Sequence, residues 1–219
     1  MNKLIIFDFD GTIVDSMWAW DALGRETLQE NLLPPLPDYE NVIRTMSVPD
    51  FSRFLSKKYP SLAPSDKLMS AWHNKMIFNY FNRVSLKKGI IGFLDFLKQN
   101  GYTVFLASAT KYEVLLEAVK HFNLEKYFDQ ILTEERVGAT KREPKIYLDC
   151  AQMAGCDVKN VVLFEDAVHA LKTAKSIGIK TCGISDYSMR AHIDEIKATV
   201  DVYLDDFTDL NLLKNFLQQ

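Results

Sequence analysis

Two aspartates, Asp8 and Asp10, follow the apolar run Leu4–Phe7 and are separated by a single residue, with Gly11 directly behind them. Side chains of residues i and i+2 in an extended segment emerge on the same side, so the two carboxylates are expected to lie close together. Neighbouring carboxylates repel each other unless a cation lies between them or they share a proton. The pair therefore predicts a site that binds a cation or moves protons. A solvated strand end with a turn is the alternative without a function.

Polar side chains also follow two later apolar segments and occupy one loop. One apolar segment ends in Ser108–Thr110 and another in Glu165–Asp166, while Lys141 lies in a loop before a helical pattern. Hard cations such as Mg2+ prefer oxygen ligands and keep several waters, so a few carboxylates and substrate oxygens suffice to bind one. A hydroxyl and an amine suit the charged oxygens of a phosphoryl group. Together these residues predict a divalent cation site beside a phosphoryl-binding site.

Each residue type has a chemical reason to be part of such a site. Asp8 can attack phosphorus as a carboxylate nucleophile and form an aspartyl-phosphate. Asp10 can give a proton to the leaving oxygen and later take one from water. Ser108 and Lys141 can hold the oxygens of the transferred group through a hydroxyl and a positive charge. The chemistry that this set predicts is phosphoryl transfer assisted by Mg2+.

The elements that must position these residues alternate between strand and helix. Apolar runs at 102–110, 160–167 and 180–184 are continuous, as in strands covered on both faces, and 201–206 is a further candidate. Helical patterns lie between these runs and end at glycines, namely Gly101, Gly155 and Gly178. We therefore expect an α/β fold with a doubly wound parallel sheet, in which the carboxyl ends of the strands form one site.

Residues 16–85 interrupt this alternation. They contain amphipathic and aromatic runs separated by proline-containing loops, without a strand pattern among them. The sequence therefore predicts a helical domain at 16–85, inserted into an α/β core made of 1–15 and 86–219. The aromatic residues of the insert fit a hydrophobic core better than a cofactor site.

Length and composition restrict the class of protein. The chain has 219 residues, 47% of them hydrophobic and 25% charged, which is typical of a globular protein with a substantial core. A formal net charge of -3 argues against broad binding to nucleic acid or to an anionic membrane. No apolar run approaches the ~20 residues of a membrane span. The three cysteines match no metal or redox spacing. The expected location is therefore the cytoplasm.

Four short motifs occur in order along the chain. They are DFDGT at 8–12, LASAT at 106–110, TKREP at 140–144 and FEDA at 164–167. Together they resemble the four motifs of the haloacid dehalogenase (HAD) superfamily, in its helical-cap branch of phosphatases and phosphomutases, which includes phosphoglycolate phosphatase and beta-phosphoglucomutase. The resemblance covers nearly the whole chain. It implies a Rossmann-like core with a helical cap domain and a Mg2+-dependent reaction on phosphate esters.

The resemblance also implies roles for individual residues. Asp8 resembles the nucleophile and a metal ligand, and Asp10 resembles the acid/base, whose main-chain carbonyl also binds the metal. Asp166 resembles the remaining metal ligand, and Glu165 resembles a supplementary one. The residues that the resemblance implies for phosphate binding are Gly11, Thr12, Ser108, Ala109 and Lys141.

The sequence departs from the family pattern around the lysine. Relatives often have a Gly-Lys-Pro sequence there, whereas Thr140 and Arg142 flank Lys141 in this chain. Pro144 holds the place of a second proline. We expect Lys141, rather than Arg142 or Lys145, to be the functional cation.

Within the superfamily, Asp10 argues against a dehalogenase, because dehalogenases lack the second aspartate. A phosphonatase needs a cap lysine that forms a Schiff base, and ordinary solvated lysines explain Lys57, Lys58, Lys67 and Lys75. Hydrolysis of a small phosphate monoester is therefore the preferred function. A sugar-phosphate mutase, similar to beta-phosphoglucomutase, and a phosphate-binding regulator without turnover are the alternatives.

The expected partner is a small phosphorylated metabolite, with Mg2+ as the cofactor, rather than a nucleic acid polymer or a membrane. Phosphoglycolate, sugar phosphates and nucleoside monophosphates are all open as substrates, because the helical domain that sets specificity in this architecture carries no identifying motif. Arg44 and Arg83 of that domain are candidates to meet the leaving group, with surface ion pairs as the alternative. A monomer is the default expectation and a dimer the alternative.

Overall fold

The chain divides into two compact units in the computed structural model, which describes residues 3–44 and 46–218. The α/β unit comprises the described residues up to Ser16 and from Val84 onward, and the helical unit comprises Met17–Arg83. A helix with the length and apolar composition of a membrane span is not found in the described part of the chain.

Eight strands occur among the described residues. They are β1 (Leu4–Phe7), β2 (Val14–Asp15), β3 (Ser85–Leu86), β4 (Thr103–Ser108), β5 (Gln130–Thr133), β6 (Val161–Glu165), β7 (Lys180–Ile184) and β8 (Val202–Leu204). Six of them form one parallel sheet in the order β5-β4-β1-β6-β7-β8. β1 therefore lies between β4 and β6, and the carboxyl ends of these three strands lie side by side.

Helices surround these strands and fill the helical unit. In the helical unit they are α1 (Met17–Glu30), α2 (Tyr39–Arg44), α3 (Val48–Lys58) and α4 (Ser65–Asn82). In the α/β unit they are α5 (Ile90–Gln99), α6 (Tyr112–His121), α7 (Glu134–Val137), α8 (Lys145–Ala154), α9 (Val168–Ser176), α10 (Ile193–Thr199) and α11 (Leu210–Gln218). Short 3-10 helices span Glu125–Tyr127, Val158–Asn160 and Tyr187–His192.

The chain winds outward from β1 in both directions. It runs to β4 and β5 on one side, then returns to β6 and continues to β7 and β8 on the other side, with helices between successive strands. Parallel neighbours require such crossover connections. The predicted α/β fold with a doubly wound parallel sheet is confirmed.

The burial of the strands explains which of them the sequence indicates. All four residues of β1 are fully buried, and each such side chain contributes about 1.5 to 3 kcal/mol to folding. Within the six-stranded sheet, β5 is the strand that the pattern does not indicate. It is short and lies at the edge of the sheet, and Gln130, its first residue, is exposed. The predicted helix ends are confirmed, because α5, α8 and α9 end within two residues of Gly101, Gly155 and Gly178.

A small antiparallel pair lies where the two units join along the chain. Val14 pairs with Leu86 and Asp15 pairs with Ser85. β2 and β3 therefore pair the two segments that precede and follow the helical unit in the sequence. In the structure, Ser16, Val84 and Ser85 consequently group with the α/β unit.

The helical unit has its own core around Trp72, which is 1% exposed. The indole Nε1 of Trp72 donates to Thr27 Oγ1 at 2.8 Å, and Thr27 Oγ1 donates to the carbonyl oxygen of Leu23 at 2.8 Å. Both hydrogen-bonding groups are buried, so the pairing removes the cost of leaving them unsatisfied. The contact fixes α4 against α1.

Tyr39 attaches α2 to α1. Its hydroxyl donates to the carbonyl oxygen of Asp21 at 2.7 Å and accepts the N–H of Arg25 at 3.1 Å. Burial raises the pKa of Tyr39 to about 12. A Cβ on Gly24 would lie 2.4 Å from the ring of Phe51, so glycine is required where α3 approaches α1.

Of the two arginine candidates in the helical unit, Arg83 lies over Trp18, with its guanidinium carbon 5.0 Å from the ring centroid. The side chain of Arg44 lies outside the described residues.

Lys75 is the cap lysine whose contacts bear on phosphonatase chemistry. It donates to Glu26 at 3.0 Å and to Glu30 at 2.6 Å. Burial alone would lower the pKa of Lys75, but the two glutamates outweigh it and the pKa lies above its usual value. A Schiff base requires a neutral amine, so this lysine does not suit phosphonatase chemistry.

Candidate active site

The predicted site residues occupy the carboxyl ends of the three central strands of the sheet. Asp8 follows β1 directly, Ser108 is the last residue of β4, and Glu165 is the last residue of β6, with Asp166 next to it. Because β1 lies between β4 and β6, residues from three distant parts of the chain meet at one edge.

Three of these residues form a buried acidic cluster. Carboxylate oxygens of Asp8, Glu165 and Asp166 all lie within 4.8 Å of one another. The three residues are 5%, 1% and 2% exposed, which leaves little water to screen their mutual repulsion. Such a cluster requires compensation by positive charge.

Lys141 supplies part of that compensation from a loop before α8. Its ammonium donates to Asp8 Oδ1 and, at 2.8 Å, to Glu165 Oε2. Burial alone would lower the pKa of Lys141, but the charges of Asp8 and Glu165 raise it well above its usual value. Burial alone would raise the pKa of Glu165, and the ammonium instead holds it below its usual value. Lys141 and Glu165 are therefore a charged pair.

The other two carboxyl groups are not fully compensated. Burial, followed by the charge of Glu165, raises the pKa of both Asp8 and Asp166 well above the usual range. Asp166 Oδ2 is buried and accepts no hydrogen bond from any described residue. When all three carboxyl groups are ionised, one ammonium leaves two negative charges. The deficit and the all-oxygen donor set fit a divalent hard cation such as Mg2+.

The turn behind Asp10 packs closely against Asp166. Gly11 has a φ of 88°, and a Cβ at this position would lie 2.5 Å from Asp166 Oδ2. A side chain would therefore fill the space beside the unpartnered oxygen. Thr12 is buried, and its hydroxyl points to Asp166 Oδ1 at 3.5 Å. Both residues lie beside the acidic cluster.

The carboxylate of Asp10 accepts hydrogen bonds from two hydroxyl groups. Ser16 Oγ donates to Asp10 Oδ1 at 2.5 Å, and Thr110 Oγ1 donates to Asp10 Oδ2 at 2.7 Å. The main-chain N–H of Thr110 in turn donates to Ser108 Oγ at 3.1 Å. A hydroxyl can either donate or accept, so this frame can hold Asp10 in the same place with or without a proton.

Glu165 also organises the start of α9. Its Oε1 accepts the N–H of Asp166 at 3.1 Å and the N–H of Ala167 at 3.0 Å. One carboxylate therefore binds Lys141 on one side and the main chain of its neighbours on the other. Ala109, the remaining predicted phosphate-binding residue, is exposed beyond the end of β4.

Several contacts at this edge of the sheet were not indicated by the sequence pattern. Glu134 Oε1 accepts the main-chain N–H of Lys141 at 2.7 Å. The carboxylate of Asp186, two residues after β7, accepts a hydrogen bond from Lys87 at 2.9 Å and from the N–H of Ser188 at 2.9 Å. An acidic residue directly after a strand is the one signal that could have drawn attention to Glu134.

Comparisons with known proteins agree with this geometry. Residues 5–184 match the family described as haloacid dehalogenase-like hydrolase. The chain is 28% identical over 185 residues to the phosphorylated carbohydrates phosphatase of Thermotoga maritima, covering 81% of this chain and 82% of that protein. It is 27% identical over 214 residues to hexitol phosphatase B of Escherichia coli K12, covering 94% of this chain and 92% of that protein.

Similarity to solved structures extends over the whole chain. A HAD hydrolase of family IA, variant 3, from Entamoeba histolytica matches with a TM-score of 0.84 at 18% identity, covering 100% of both chains. At this identity the match supports the fold. The region matched to the family contains all four motifs and all of the three central strands except Leu4. The chain therefore belongs to the haloacid dehalogenase-like hydrolase family.

Proposed function

We propose that the protein is a Mg2+-dependent phosphatase that hydrolyses a small phosphate monoester through an aspartyl-phosphate on Asp8. The observation that carries the proposal is the buried cluster of Asp8, Glu165 and Asp166. Lys141 donates to the first two, and one oxygen of Asp166 has no partner among the described residues. The names of the curated relatives support the same reaction class.

In the first step, a carboxylate oxygen of Asp8 forms a bond to phosphorus while the bond from phosphorus to the ester oxygen breaks. Asp10 gives its proton to that leaving oxygen, and the alcohol departs. Lys141 stays protonated because its pKa is raised, so it offers a positive charge to the phosphoryl oxygens. The buried hydroxyl of Ser108 is a second donor at the neighbouring strand end.

In the second step, water attacks phosphorus and the bond from phosphorus to Asp8 breaks. Asp10 takes a proton from that water and so returns to the state in which it can act as an acid. The hydroxyls of Ser16 and Thr110 keep its carboxyl group in place through both steps. Asp8 is regenerated as a carboxylate, and inorganic phosphate is released.

The cation would be held by the carboxylates of Asp8 and Asp166, with the main-chain carbonyl of Asp10 and the carboxylate of Glu165 as further oxygen ligands. When bound, it neutralises charge on the carboxylates and on the phosphoryl oxygens. Asp8 can then approach an anionic ester without the repulsion that its own cluster would otherwise add.

We further propose a phosphorylated sugar or sugar alcohol as the substrate. The curated relatives are named for hexitol and for phosphorylated carbohydrates, and together they cover most of this chain. The residues assigned to phosphoryl chemistry all belong to the α/β unit. The helical unit, as an inserted cap domain, is then the part of the chain that selects the alcohol portion of the ester.

The proposal is tested by measuring phosphate release from a panel of esters with Mg2+ and with EDTA. The panel includes hexitol phosphates, hexose phosphates, phosphoglycolate, nucleoside monophosphates and β-glucose 1-phosphate, with glucose 6-phosphate formation followed in parallel. We expect Mg2+-dependent release from the sugar or sugar alcohol esters and a loss of at least ~1000-fold in Asp8→Asn. The exposed Asp205→Asn is the matched control.

Three other outcomes would contradict the proposal. Isomerisation of glucose 1-phosphate without release of phosphate would mean that the protein is a sugar-phosphate mutase rather than a hydrolase. Binding of phosphate without turnover of any ester would indicate the regulator. Unchanged activity in a folded Asp8→Asn variant would overturn the mechanism.

A further inference from the structure

Lys141, the proposed phosphate-binding lysine, lies on a loop without regular secondary structure. Lys141 lies between α7 and α8, and its side chain is almost fully buried while the neighbouring Arg142 is exposed. A long flexible side chain reaches a fixed point only when its main chain is also fixed. The contacts that fix the main chain of this loop therefore help to determine the position of the Lys141 ammonium.

The element before the loop is a single helical turn. Thr133, the last residue of β5, begins it, with its hydroxyl accepting the N–H of Arg136 at 3.4 Å. Gly138 ends it with a φ of 70°, and the N–H of Gly138 donates to the carbonyl oxygen of Glu134 at 2.8 Å. The turn places Glu134 directly at the end of the strand, facing the loop.

The carboxylate of Glu134 makes the contact that joins this turn to the loop. Glu134 Oε1 accepts the main-chain N–H of Lys141 at 2.7 Å. Hydrogen bonds to a charged acceptor are the stronger class, and the half-buried position of Glu134 reduces competition from water. The same carboxylate lies near the Lys141 side chain without replacing its partners, Asp8 and Glu165.

The turn is itself anchored to the other side of the site. The guanidinium of Arg136 lies over the ring of Tyr112, 3.4 Å from the ring centroid. Tyr112 begins α6 and follows Thr110 by two residues, so the turn links the loop after β4 with the loop that carries Lys141. The two loops that supply hydroxyl and ammonium donors are thereby connected through one short element.

We propose that Glu134 is a positioning residue, which fixes the main chain of Lys141 so that the ammonium is held beside Asp8 and the bound phosphoryl group. The inference rests on the proposed function and adds a residue to it. Glu134 touches neither substrate nor the reacting atoms. Its effect passes through one hydrogen bond to the N–H of Lys141.

Two substitutions separate this role from a structural one. Glu134→Gln keeps an oxygen that can accept the N–H of Lys141, whereas Glu134→Ala removes it. Glu135→Ala is the matched control, because Glu135 is the exposed neighbour on the same turn. The measurements are calorimetric binding of inorganic phosphate in the presence of Mg2+, steady-state kinetics on the best ester, and thermal unfolding.

We expect Glu134→Ala to weaken phosphate binding and to lower kcat/KM by about 10-fold, as for the loss of a hydrogen bond to a charged group. Glu134→Gln is expected to restore both to within about 3-fold of the wild type. Glu135→Ala is expected to leave both unchanged. Equal losses in Glu134→Ala and Glu134→Gln, or wild-type values in Glu134→Ala, would overturn the proposal.

If Glu134→Ala does not fold, Glu134→Asp decides the matter, because it keeps the charge and withdraws the acceptor by one methylene. Wild-type phosphate affinity in Glu134→Asp would then overturn the proposal, and a loss that Glu134→Gln does not share would support it. Phosphate binding does not depend on turnover. If the wild type binds phosphate and hydrolyses no ester, the proposed function fails while the role of Glu134 is still measured.

Discussion

The hydroxyl of Thr110 donates a hydrogen bond to Asp10 across 2.7 Å and thereby joins the end of β4 to the loop after β1. Replacing Thr110 by valine keeps the volume of the side chain but removes the donor. We expect kcat to fall about 10-fold on an alkyl phosphate, because Asp10 must give a proton to a poor leaving group. On p-nitrophenyl phosphate, whose leaving group departs without a proton, we expect a loss of about 2-fold.

Thr110→Ser is the matched control for this experiment. It retains the hydroxyl, so we expect both activities to return close to those of the wild type. Kinetics on the two esters, compared for the same preparation, provide the measurement. Equal losses on both esters would mean that Thr110 does not act through the proton that Asp10 gives to the leaving oxygen.

The unpartnered oxygen of Asp166 leads to a prediction about the metal-free protein. Burial and the charge of Glu165 raise the pKa of Asp166, so the unfolded state gives up this proton at a lower pH than the folded state. Stability therefore falls as the pH rises from the usual value of 3.8 towards the raised pKa. In EDTA at neutral pH, we expect Asp166→Asn to raise Tm by about 2 to 4 °C.

With added Mg2+, the wild type should have the higher Tm of the two proteins. A cation that binds only the folded protein raises its Tm, and we expect this rise in the wild type but not in Asp166→Asn. Thermal unfolding with EDTA and with increasing Mg2+ gives both comparisons, and the exposed Asp205→Asn serves as the control. An equal Mg2+ response in wild type and Asp166→Asn would remove Asp166 from the metal site.

Asp201 provides a test of pH dependence away from the site. Burial alone would raise its pKa, but hydrogen bonds from Lys175 and from the N–H of Thr181 hold the pKa below the usual 3.8. The stabilisation is therefore present above pH 3.8 and is lost as the pH falls towards the lowered pKa. Because the side chain is partly exposed, we expect Asp201→Asn to cost at most about 1 kcal/mol at pH 7.

Urea unfolding of Asp201→Asn between pH 3 and pH 7 would measure this contribution. The difference in the free energy of unfolding between Asp201→Asn and the wild type should decrease as the pH is lowered. Asp194→Asn, an exposed neighbour on α10, is the control. A difference that stays constant down to pH 3 would contradict the assignment of the lowered pKa to Asp201.

The hydrogen bond between Trp72 and Thr27 leads to a prediction about the stability of the helical unit. Thr27→Val leaves the indole N–H buried without an acceptor, and we expect a loss of about 1 to 3 kcal/mol in the free energy of unfolding. Thr27→Ser keeps the acceptor and should cost less. All three tryptophans, Trp18, Trp20 and Trp72, belong to the helical unit, so their fluorescence reports its unfolding. Identical midpoints for the two variants would count against this hydrogen bond.

The strands and the acidic residues at their ends could be predicted from sequence for a physical reason. A parallel strand that is covered on both faces must be apolar throughout, so the polar residue at its end stands out, as Asp8 and Glu165 do. The order of the four motifs, three at strand ends and one in the loop of Lys141, also indicated the family. The roles of Gly11, Thr12, Ser108, Ala109 and Lys141 in phosphate binding stay predictions, as do the metal ligands.

Contacts between distant loops could not be predicted in this way. The hydrogen bond from Thr110 to Asp10 joins residues 100 positions apart, and it depends on how two loops end rather than on a local pattern. The local sequence around Glu134 is typical of an exposed helix, whereas in the structure Glu134 is half-buried and accepts the N–H of Lys141 from the returning loop. β5 lacks a continuous apolar run, because only Ile131 and Leu132 of its four residues are apolar.

The central place of β1 has a consequence for the order in which the protein is assembled. β1 leaves the ribosome before both of its neighbours, because Leu4 pairs with Thr103 on one side and with Val161 on the other. Closing such long loops costs entropy before any contact between the strands offsets it. The helical unit is one continuous segment and can form while β1 still has no neighbour. The nascent chain thus exposes an apolar strand until residues beyond Val161 are made, which makes this interval the one in which a chaperone would be most useful.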